Sequence, residues 1–375
     1  MKAITAKRTF AGIAALGAAA LVLAGCAAGT AEEASSDEAA VEEATAVEEL
    51  DFLACAVSDE GSWQDNSFNE AVYDGLALAQ SELAVQTAEA ESNSAEDFAP
   101  NLQAMVDEGC DVIFAVGFGL ADPVNLAADA NPDVSMVTVD GYSAGQENLK
   151  VVGYKMNQSS YLAGYLAAAF STSKVVGTSG GVQIDAVTDF MTGFYYGAKA
   201  YEAETGTPIT VLGWDPVAQT GDFWESFTAN DPTGKAIAAS QLEQGADVLF
   251  PVGGDQFGAG SEAITESGVD AVMIGVDKDI ALTSPEYADY ILTSAEKRMG
   301  EATFNIIEDY ALNGTFSSEV YLGDLENGGT AISPFYAFDE RVTQETKDRL
   351  EEIKQGIIDG TIDPLSYRQR NFALT

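Results

Sequence analysis

Short apolar runs alternate with segments of helical periodicity along most of this 375-residue chain. The apolar runs are rich in β-branched residues and predict strands at 51–57, 84–90, 111–116, 134–139, 174–179, 209–214, 247–252, 270–276 and 289–294. Apolar residues spaced three and four apart predict intervening helices, which include 67–82, 96–108, 158–171, 187–205, 233–244 and 296–312. Because strands and helices that alternate in this way build parallel sheets covered by helices, we expect an α/β fold.

One part of this alternation occurs twice. The segment NLQAMVDEGCDVIFAVGFG at 101–119 resembles ASQLEQGADVLFPVGGD at 239–255, and each contains a helix, a Gly-X-Asp turn and a strand ending in Val-Gly. A second strand then ends in Val-Asp, at Asp140 in the first copy and at Asp277 in the second, 29 and 30 residues after the aspartate of the turn. The duplication predicts two lobes of similar structure.

The residues that follow the predicted strands are candidates for a binding cleft, because ligands of open α/β sheets bind beyond the carboxyl ends of the strands. The first lobe offers 65–69, Gly117, Phe118 and Asp140, and the second offers Gly180, Gly181, Gly253, Gly254 and Asp277. Glycine after a strand is also common turn chemistry, and aspartate there often caps the next helix. The equivalent placement of the two aspartates favours one cleft between facing lobes.

The stretch SWQDNSFNEAVYDG at 62–75 opens the first predicted helix. Ser67 followed by Glu70 matches a capping box. Phe68 and Asn69 fall on the first turn, at the carboxyl end of the first strand. From the residues alone, Phe68 either covers the hydrophobic core or faces a ligand.

The N-terminus has the organisation of an export signal. MKAITAKRTF carries three cations and no acid, a short run of small and apolar residues spans 11–23, and Leu-Ala-Gly-Cys follows at 23–26. This tetrapeptide resembles the bacterial lipobox, in which the cysteine is acylated, so we expect residues 1–26 to be a lipoprotein signal peptide and Cys26 to become the membrane anchor. Ordinary secretion is the alternative. Residues 27–49 hold eight acids and no base and predict a disordered acidic tether.

The composition excludes several classes of function. The chain has 60 acidic and 17 basic residues and a formal charge of −43, so it repels nucleic acid and gains no attraction to an anionic membrane surface. It has no histidine, which excludes Ser-His and Cys-His nucleophilic pairs and imidazole metal sites. No Gly-x-x-x-x-Gly-Lys phosphate loop occurs. We therefore expect a binding protein and not an enzyme, with no metal and no cofactor.

Two cysteines remain besides Cys26. Cys55 falls inside the first predicted strand, and Cys110 directly precedes the strand at 111–116. These two strands are neighbours in a doubly wound sheet of order 2-1-3, and an exported location permits a disulfide. The sequence leaves open whether Cys55 and Cys110 form a disulfide or are two buried free thiols.

A series of motifs resembles one known family. The motifs DNSFNEAVYDG, GCDVIFAVGFG, VTVDG, GADVLFPVGG, IGVDKD and ILTSAEKRMGEA occur in order between about residues 52 and 370. They are similar to signatures of the basic membrane protein family, the lipoprotein substrate-binding components of ABC importers, many of which are purine-nucleoside receptors. The resemblance implies a type I periplasmic-binding-protein fold, in which two Rossmann-like lobes with parallel sheets close around a ligand cleft. It divides the chain into lobe one, at 50–155 and 290–320, and lobe two, at 156–289 and 321–375.

The resemblance also implies roles for individual residues. Phe68 corresponds to an aromatic that stacks on a nucleobase, and Asp65 and Asn69 correspond to residues close to the base edge. Ser67, between them, is a further candidate ligand-binding residue. A second aromatic corresponds to Phe190. Asp277 and Lys297 resemble the groups that hold the ribose hydroxyls. A cation at Lys297 on the first turn of the helix predicted at 296–312 is disfavoured by the helix dipole, which favours a functional role for it.

The chain departs from the family at the rim of lobe two. GDFWESFTANDPTG at 221–234 is longer than the usual family segment and adds Trp224, and PVGGDQFGAG at 251–260 carries an acid and an aromatic in place of small residues. Trp224 therefore either replaces Phe190 as the second stacking face or packs under its loop.

The leading hypothesis from the sequence is a monomeric, lipid-anchored receptor on the outer face of a bacterial cell membrane. It would capture a nucleoside, with a purine favoured by the resemblance, and deliver it to the permease subunits of an ABC importer. The alternative is the same fold binding a sugar or a signalling small molecule as a sensor.

Overall fold

The computed structural model of the protein describes residues 50–365. The predicted signal peptide with Cys26, the predicted tether at 27–49 and the last residues, 366–375, lie outside this range. Within residues 50–365, no helix combines the length and the apolar character needed to cross a membrane.

Strands and helices alternate through the described chain, as the periodicity predicts. The strands are β1 Leu53–Val57, β2 Gln86–Ala90, β3 Val112–Val116, β4 Ser135–Val139, β5 Leu149–Tyr154, β6 Val175–Gly180, β7 Thr210–Leu212, β8 Trp214–Asp215, β9 Thr220–Gly221, β10 Val248–Val252, β11 Val272–Asp277, β12 Ile291–Lys297, β13 Tyr321–Gly323 and β14 Thr330–Ile332. The α-helices are α1 Phe68–Leu83, α2 Ala95–Glu108, α3 Ala121–Ala130, α4 Met156–Phe170, α5 Asp185–Thr205, α6 Pro232–Glu243, α7 Phe257–Ser267, α8 Ile280–Thr283, α9 Met299–Asn313 and α10 Gln344–Ile358.

Two six-stranded sheets form the centres of two lobes. The first sheet has the order β13-β5-β4-β3-β1-β2, and every adjacent pair in it is parallel. The second has the order β14-β12-β11-β10-β6-β7 and is parallel except for β14. The repeated sequence occupies equivalent places, because α2, β3 and β4 in one lobe correspond to α6, β10 and β11 in the other. This arrangement confirms the predicted α/β fold with two Rossmann-like lobes.

The chain crosses between the sheets three times, and two of the predicted lobe boundaries were wrong. The prediction assigned 290–320 to lobe one, but β12 pairs with β11 in the second sheet. The prediction assigned 321–375 to lobe two, but β13 pairs with β5 at the edge of the first sheet. Between these two strands, α9 packs with the core of lobe one, through Met299, Ala302 and Ile307. Strand pairing is a long-range property that local sequence patterns do not encode.

A disulfide links two neighbouring strands of the first sheet. Cys55 in β1 and Cys110, just before β3, are bonded to each other, with Cα atoms 6.0 Å apart. β1 pairs with β3 in parallel register, as the predicted 2-1-3 order requires. Both cysteines are buried, so the bond lies between the sheet and the helices that cover it.

Candidate functional site

A cavity of about 410 Å³ lies between the carboxyl ends of the two sheets. Residues from both lobes line it, as expected for a fold whose lobes face each other across a cleft. Of the residues singled out from the sequence, those that line the cavity are Asp65, Phe68, Asn69, Gly117, Phe118, Asp140, Phe190, Gly253, Gly254, Asp277 and Lys297. Four predicted residues do not line it: Ser67, Gly180, Gly181 and Trp224.

The first turn of α1 is capped by Asp65 and not by Ser67. The Asp65 carboxylate accepts hydrogen bonds from the backbone N–H groups of Ser67, Asn69 and Glu70 at 2.9, 2.9 and 3.0 Å. The predicted capping box was therefore wrong, because a carboxylate two residues earlier in the chain satisfies these donors. The Ser67 hydroxyl instead donates to Asp277 Oδ2 in the other lobe, at 2.9 Å.

Phe68 combines the two roles that the sequence left open. Its ring packs against the hydrophobic core of lobe one, and it also lines the cavity. The ring is half-buried, so the face that the core does not cover is available to a ligand.

Lys297 is the central cation of the cavity. Its ammonium is buried, with 3% of the side chain exposed, and pairs with Asp140 of lobe one at 2.5 Å. It also lies 5.1 Å from the centre of the Phe68 ring and 5.2 Å from that of Phe190, within the range of cation–π attraction. Lys297 is the last residue of β12, and α9 begins at Met299. The prediction that it lies in the first turn of a helix was wrong, and the helix-dipole argument for its role does not apply.

Burial and charge pairing set the ionisation of this cluster. Burial raises the pKa of Asp277 to about 6, although the Lys297 charge and the Ser67 hydrogen bond act in the opposite direction. Burial also acts to lower the pKa of Lys297, but the charges of Asp140 and Asp277 outweigh it and leave the pKa raised. Lys297 is therefore charged at neutral pH, and Asp277 is the group whose charge changes near pH 6.

The duplicated motif reappears as a duplicated backbone conformation. Asp140 directly follows β4, and Asp277 is the last residue of β11. Both have positive φ angles, 57° and 66°. Gly117 and Gly253, which follow β3 and β10, have φ angles of 106° and 128°. Non-glycine residues seldom adopt this conformation, and such residues cluster at functional sites. The paired occurrence strengthens the interpretation of both strand ends as parts of one site.

Asp59 is a cavity residue that the sequence interpretation missed. Its carboxylate accepts hydrogen bonds from Asn69 Nδ2 at 2.8 Å and from the Gly61 N–H at 2.9 Å. Burial raises its pKa to about 6, although these hydrogen bonds act to lower it. Asn69 Nδ2 also donates to Asp65, while Asn69 Oδ1 is buried without a partner among the described residues. Asp59 follows β1. The rule that ligands bind beyond the carboxyl ends of strands, which identified the other candidates, therefore also applied to Asp59.

The aromatic residues of lobe two differ in accessibility. Phe190 lines the cavity but is only 2% exposed and packs against Phe250. Trp224 is buried and borders a separate small cavity beside Gln256, so it packs under its loop and the prediction that it stacks on the ligand is not supported. Phe227, which the sequence interpretation did not single out, lines the main cavity and is 37% exposed. The most accessible ring that lobe two presents to the cavity therefore belongs to Phe227.

The cavity has the chemistry of a binding site for a small organic molecule. Apolar rings and glycine backbone line it together with a smaller number of charged groups, among which Asp140 and Lys297 form an ion pair. Among residues 50–365, no group of three or more histidine, cysteine, aspartate or glutamate side chains is placed to hold a metal ion.

Sequence comparisons relate the chain to proteins of known class. The nucleoside-binding protein BmpA of an ABC transporter in Lactococcus lactis is 30% identical, over 83% of this chain and 88% of that protein. Basic membrane protein A of Borreliella burgdorferi is 25% identical, over 81% of this chain and 85% of that protein. An uncharacterised lipoprotein of Pyrococcus furiosus is 28% identical, over 72% of this chain and 67% of that protein.

Solved structures agree on the fold. A solute-binding protein of an ABC transporter system from Aeropyrum pernix superposes with a TM-score of 0.73 at 23% identity, covering 83% of this chain and 92% of that one. A second such protein, from Conexibacter woesei, has a TM-score of 0.65 at 18% identity and covers 83% of this chain and 98% of that one. The sequence profile of the PnrA-like ABC transporter substrate-binding proteins matches residues 52–362. The chain belongs to this family of substrate-binding proteins.

Proposed function

We propose that this protein is a lipid-anchored extracytoplasmic receptor that captures a nucleoside, preferentially a purine nucleoside, and delivers it to the permease of an ABC importer. The observation that carries the proposal is the composition of the cavity. Aromatic rings reach it from both lobes, and a buried lysine, Lys297, lines it together with Asp140 and Asp277. The nucleoside-binding relative from Lactococcus lactis supports the same ligand class.

The aromatic rings suit a nucleobase. A base has two flat faces, and stacking on an aromatic ring contributes about 1–3 kcal/mol per base. Phe68 supplies a ring from lobe one. Phe227 supplies the accessible ring from lobe two, and Phe190 forms the cavity wall beside Lys297. Closure of the lobes on the base would bury both of its faces.

The cluster of Asp140, Asp277 and Lys297 suits a ribose. The Asp277 carboxylate can accept hydrogen bonds from two neighbouring hydroxyl groups, and the Lys297 ammonium can donate to their oxygens. A ligand group without a charge of its own fits this cluster, because Lys297 is already paired with Asp140.

Asp59 offers an acceptor to the edge of the base. Its carboxylate lines the cavity beside the Asn69 amide. Ring N–H and amino groups of a purine are donors that would satisfy such an acceptor.

The Phe68 ring is expected to contribute to affinity more than to stability. In the Phe68→Ala variant, we expect nucleoside binding to weaken by about 1–3 kcal/mol through lost stacking. Calorimetric titration with guanosine, inosine and adenosine measures this loss. Phe170→Ala is the matched control, since Phe170 is also half-buried but packs on Phe338 away from the cavity. The control should lose stability and keep its affinity. If Phe68→Ala loses only stability, Phe68 merely covers the core.

The lipid anchor is tested through Cys26. The motif Leu-Ala-Gly-Cys at 23–26 and the Pyrococcus furiosus lipoprotein relative support acylation of this cysteine. Cys26→Ser should leave the protein in the soluble fraction or unprocessed, because the acyl chains that hold it at the membrane are lost. Fractionation of expressing bacterial cells measures this. Unchanged membrane association of the variant would exclude anchoring through Cys26.

A further inference from the structure

Lys278 connects the two lobes outside the cavity. It directly follows β11 of the second sheet, and its Nζ lies 3.0 Å from Glu70 Oε1 and 2.7 Å from Asp74 Oδ2 on α1 of lobe one. The Lys278 side chain is only 12% exposed. None of the three residues lines the cavity, so the ligand site described above does not require them.

The lobe-one partners of Asp277 and Lys278 lie along one face of α1. Ser67, Glu70 and Asp74 are spaced by three and four residues, and side chains at this spacing lie on the same side of a helix. Ser67 bonds to Asp277, and the other two bond to Lys278. Two consecutive residues of lobe two therefore hold the first two turns of the helix that carries Phe68 and Asn69.

We propose that the Lys278 salt bridge stabilises the closed arrangement of the lobes independently of ligand. Lys278 belongs to one lobe and both of its partners belong to the other, so the bridge requires the lobes to be close together. Opening of the lobes would separate the Lys278 ammonium from the carboxylates of Glu70 and Asp74. An interaction present in only one of two states shifts the equilibrium toward that state.

The bridge is partly shielded from water, since the side chains of Lys278, Glu70 and Asp74 are 12%, 25% and 54% exposed. Burial acts to lower the pKa of Lys278, but Asp74 and Glu70 outweigh it and leave the pKa raised, so the lysine is charged at neutral pH. Charges that are partly shielded from water are also screened less by salt. The proposal rests on the contact between lobes and does not depend on the identity of the ligand.

Lys278→Met in the mature protein without ligand tests the proposal by small-angle X-ray scattering. We expect a larger radius of gyration than in wild type, with the ratio of closed to open molecules lowered by about fivefold or more. Hydrogen exchange should become faster at the start of α1, over residues 67–75. Lys278→Arg should remain as compact as wild type, because arginine keeps the charge and the reach.

Lys235→Met is the matched control. Lys235 also bridges two acids, Glu262 and Glu266 at 2.9 Å each, but all three residues lie in lobe two. This variant should keep the wild-type radius of gyration. Equal radii for wild type and Lys278→Met, or equal expansion of both methionine variants, would overturn the proposal. Because no ligand is present, these outcomes do not depend on whether a nucleoside binds.

Discussion

Replacing Lys297 with methionine is expected to lower the free energy of unfolding by about 3–5 kcal/mol at pH 8, the usual cost of breaking a buried ion pair by removing one partner. Lys297 is 3% exposed and pairs with Asp140, and its charge also stabilises the ionised form of Asp277. Methionine has a similar length and no charge, so it leaves both carboxylates in the cavity without their cation. Urea denaturation of the wild type and the variant measures the difference.

The loss of stability in Lys297→Met should become smaller as the pH falls. Without the Lys297 charge, which acts to lower the pKa of Asp277, that pKa rises further, so the folded state of the variant binds protons at higher pH than the wild type does. The variant should therefore recover part of its stability when the pH falls from 8 to 5. Lys235→Met, which removes an exposed bridge within lobe two, should have little effect on stability at either pH, because exposed ion pairs contribute little. A Lys297→Met variant as stable as this control would contradict the account of the cluster.

Asp277→Asn should raise the stability of the fold and weaken nucleoside binding. Burial raises the Asp277 pKa from 3.8 to about 6, and one pKa unit corresponds to about 1.4 kcal/mol. Keeping this carboxylate ionised at pH 7.5 therefore costs the fold about 3 kcal/mol at most, and asparagine removes that cost. Asparagine also tolerates the positive φ angle of this position. Nucleoside binding should weaken by about 1.5–3 kcal/mol, because charge-assisted hydrogen bonds to the ribose are lost.

The stability gain of Asp277→Asn should exist only above a defined pH. In the wild type, Asp277 is protonated in the folded state up to about pH 6 and in the unfolded state only up to 3.8. The folded state binds more protons in this window, so the contribution of Asp277 to stability falls as the pH rises through it. Melting curves of the two proteins should converge near pH 4 and separate above pH 6. A variant that is less stable than wild type at pH 7.5 would contradict the assigned pKa direction.

The fold could be predicted because its local patterns repeat. Alternating strand and helix periodicity identified both lobes, and the repeated Val-Gly and Val-Asp ends identified the positions that line the cavity. The sequence interpretation missed β5, which has six residues, and also strands such as β13 and β14, which have three residues each. Such short strands carry too little periodicity to detect, and their pairing depends on residues that are distant in the chain.

The candidate site was predictable in its positions and less so in its contacts. The rule that ligands bind beyond the carboxyl ends of strands found Asp140, Asp277, Gly117, Gly253 and Gly254, and it also applied to Asp59. It was wrong for Gly180 and Gly181, which do not line the cavity. It could not show that Asp65 would take the backbone donors of α1 and leave Ser67 to bond to the other lobe. That outcome depends on competition between acceptors in three dimensions. The same holds for Trp224 and Phe227, since the path of their loop decides which ring faces the cavity.

Calorimetric titration of the wild-type protein with adenosine, guanosine, inosine, uridine and D-glucose tests the central claim, that the cavity binds a nucleoside. The account predicts that at least one purine nucleoside binds with a Kd well below about 1 mM, a binding free energy more favourable than about −4 kcal/mol. It also predicts that purine nucleosides bind more tightly than uridine and that glucose does not compete. Binding of glucose alone, or of none of the four nucleosides, would contradict the claim.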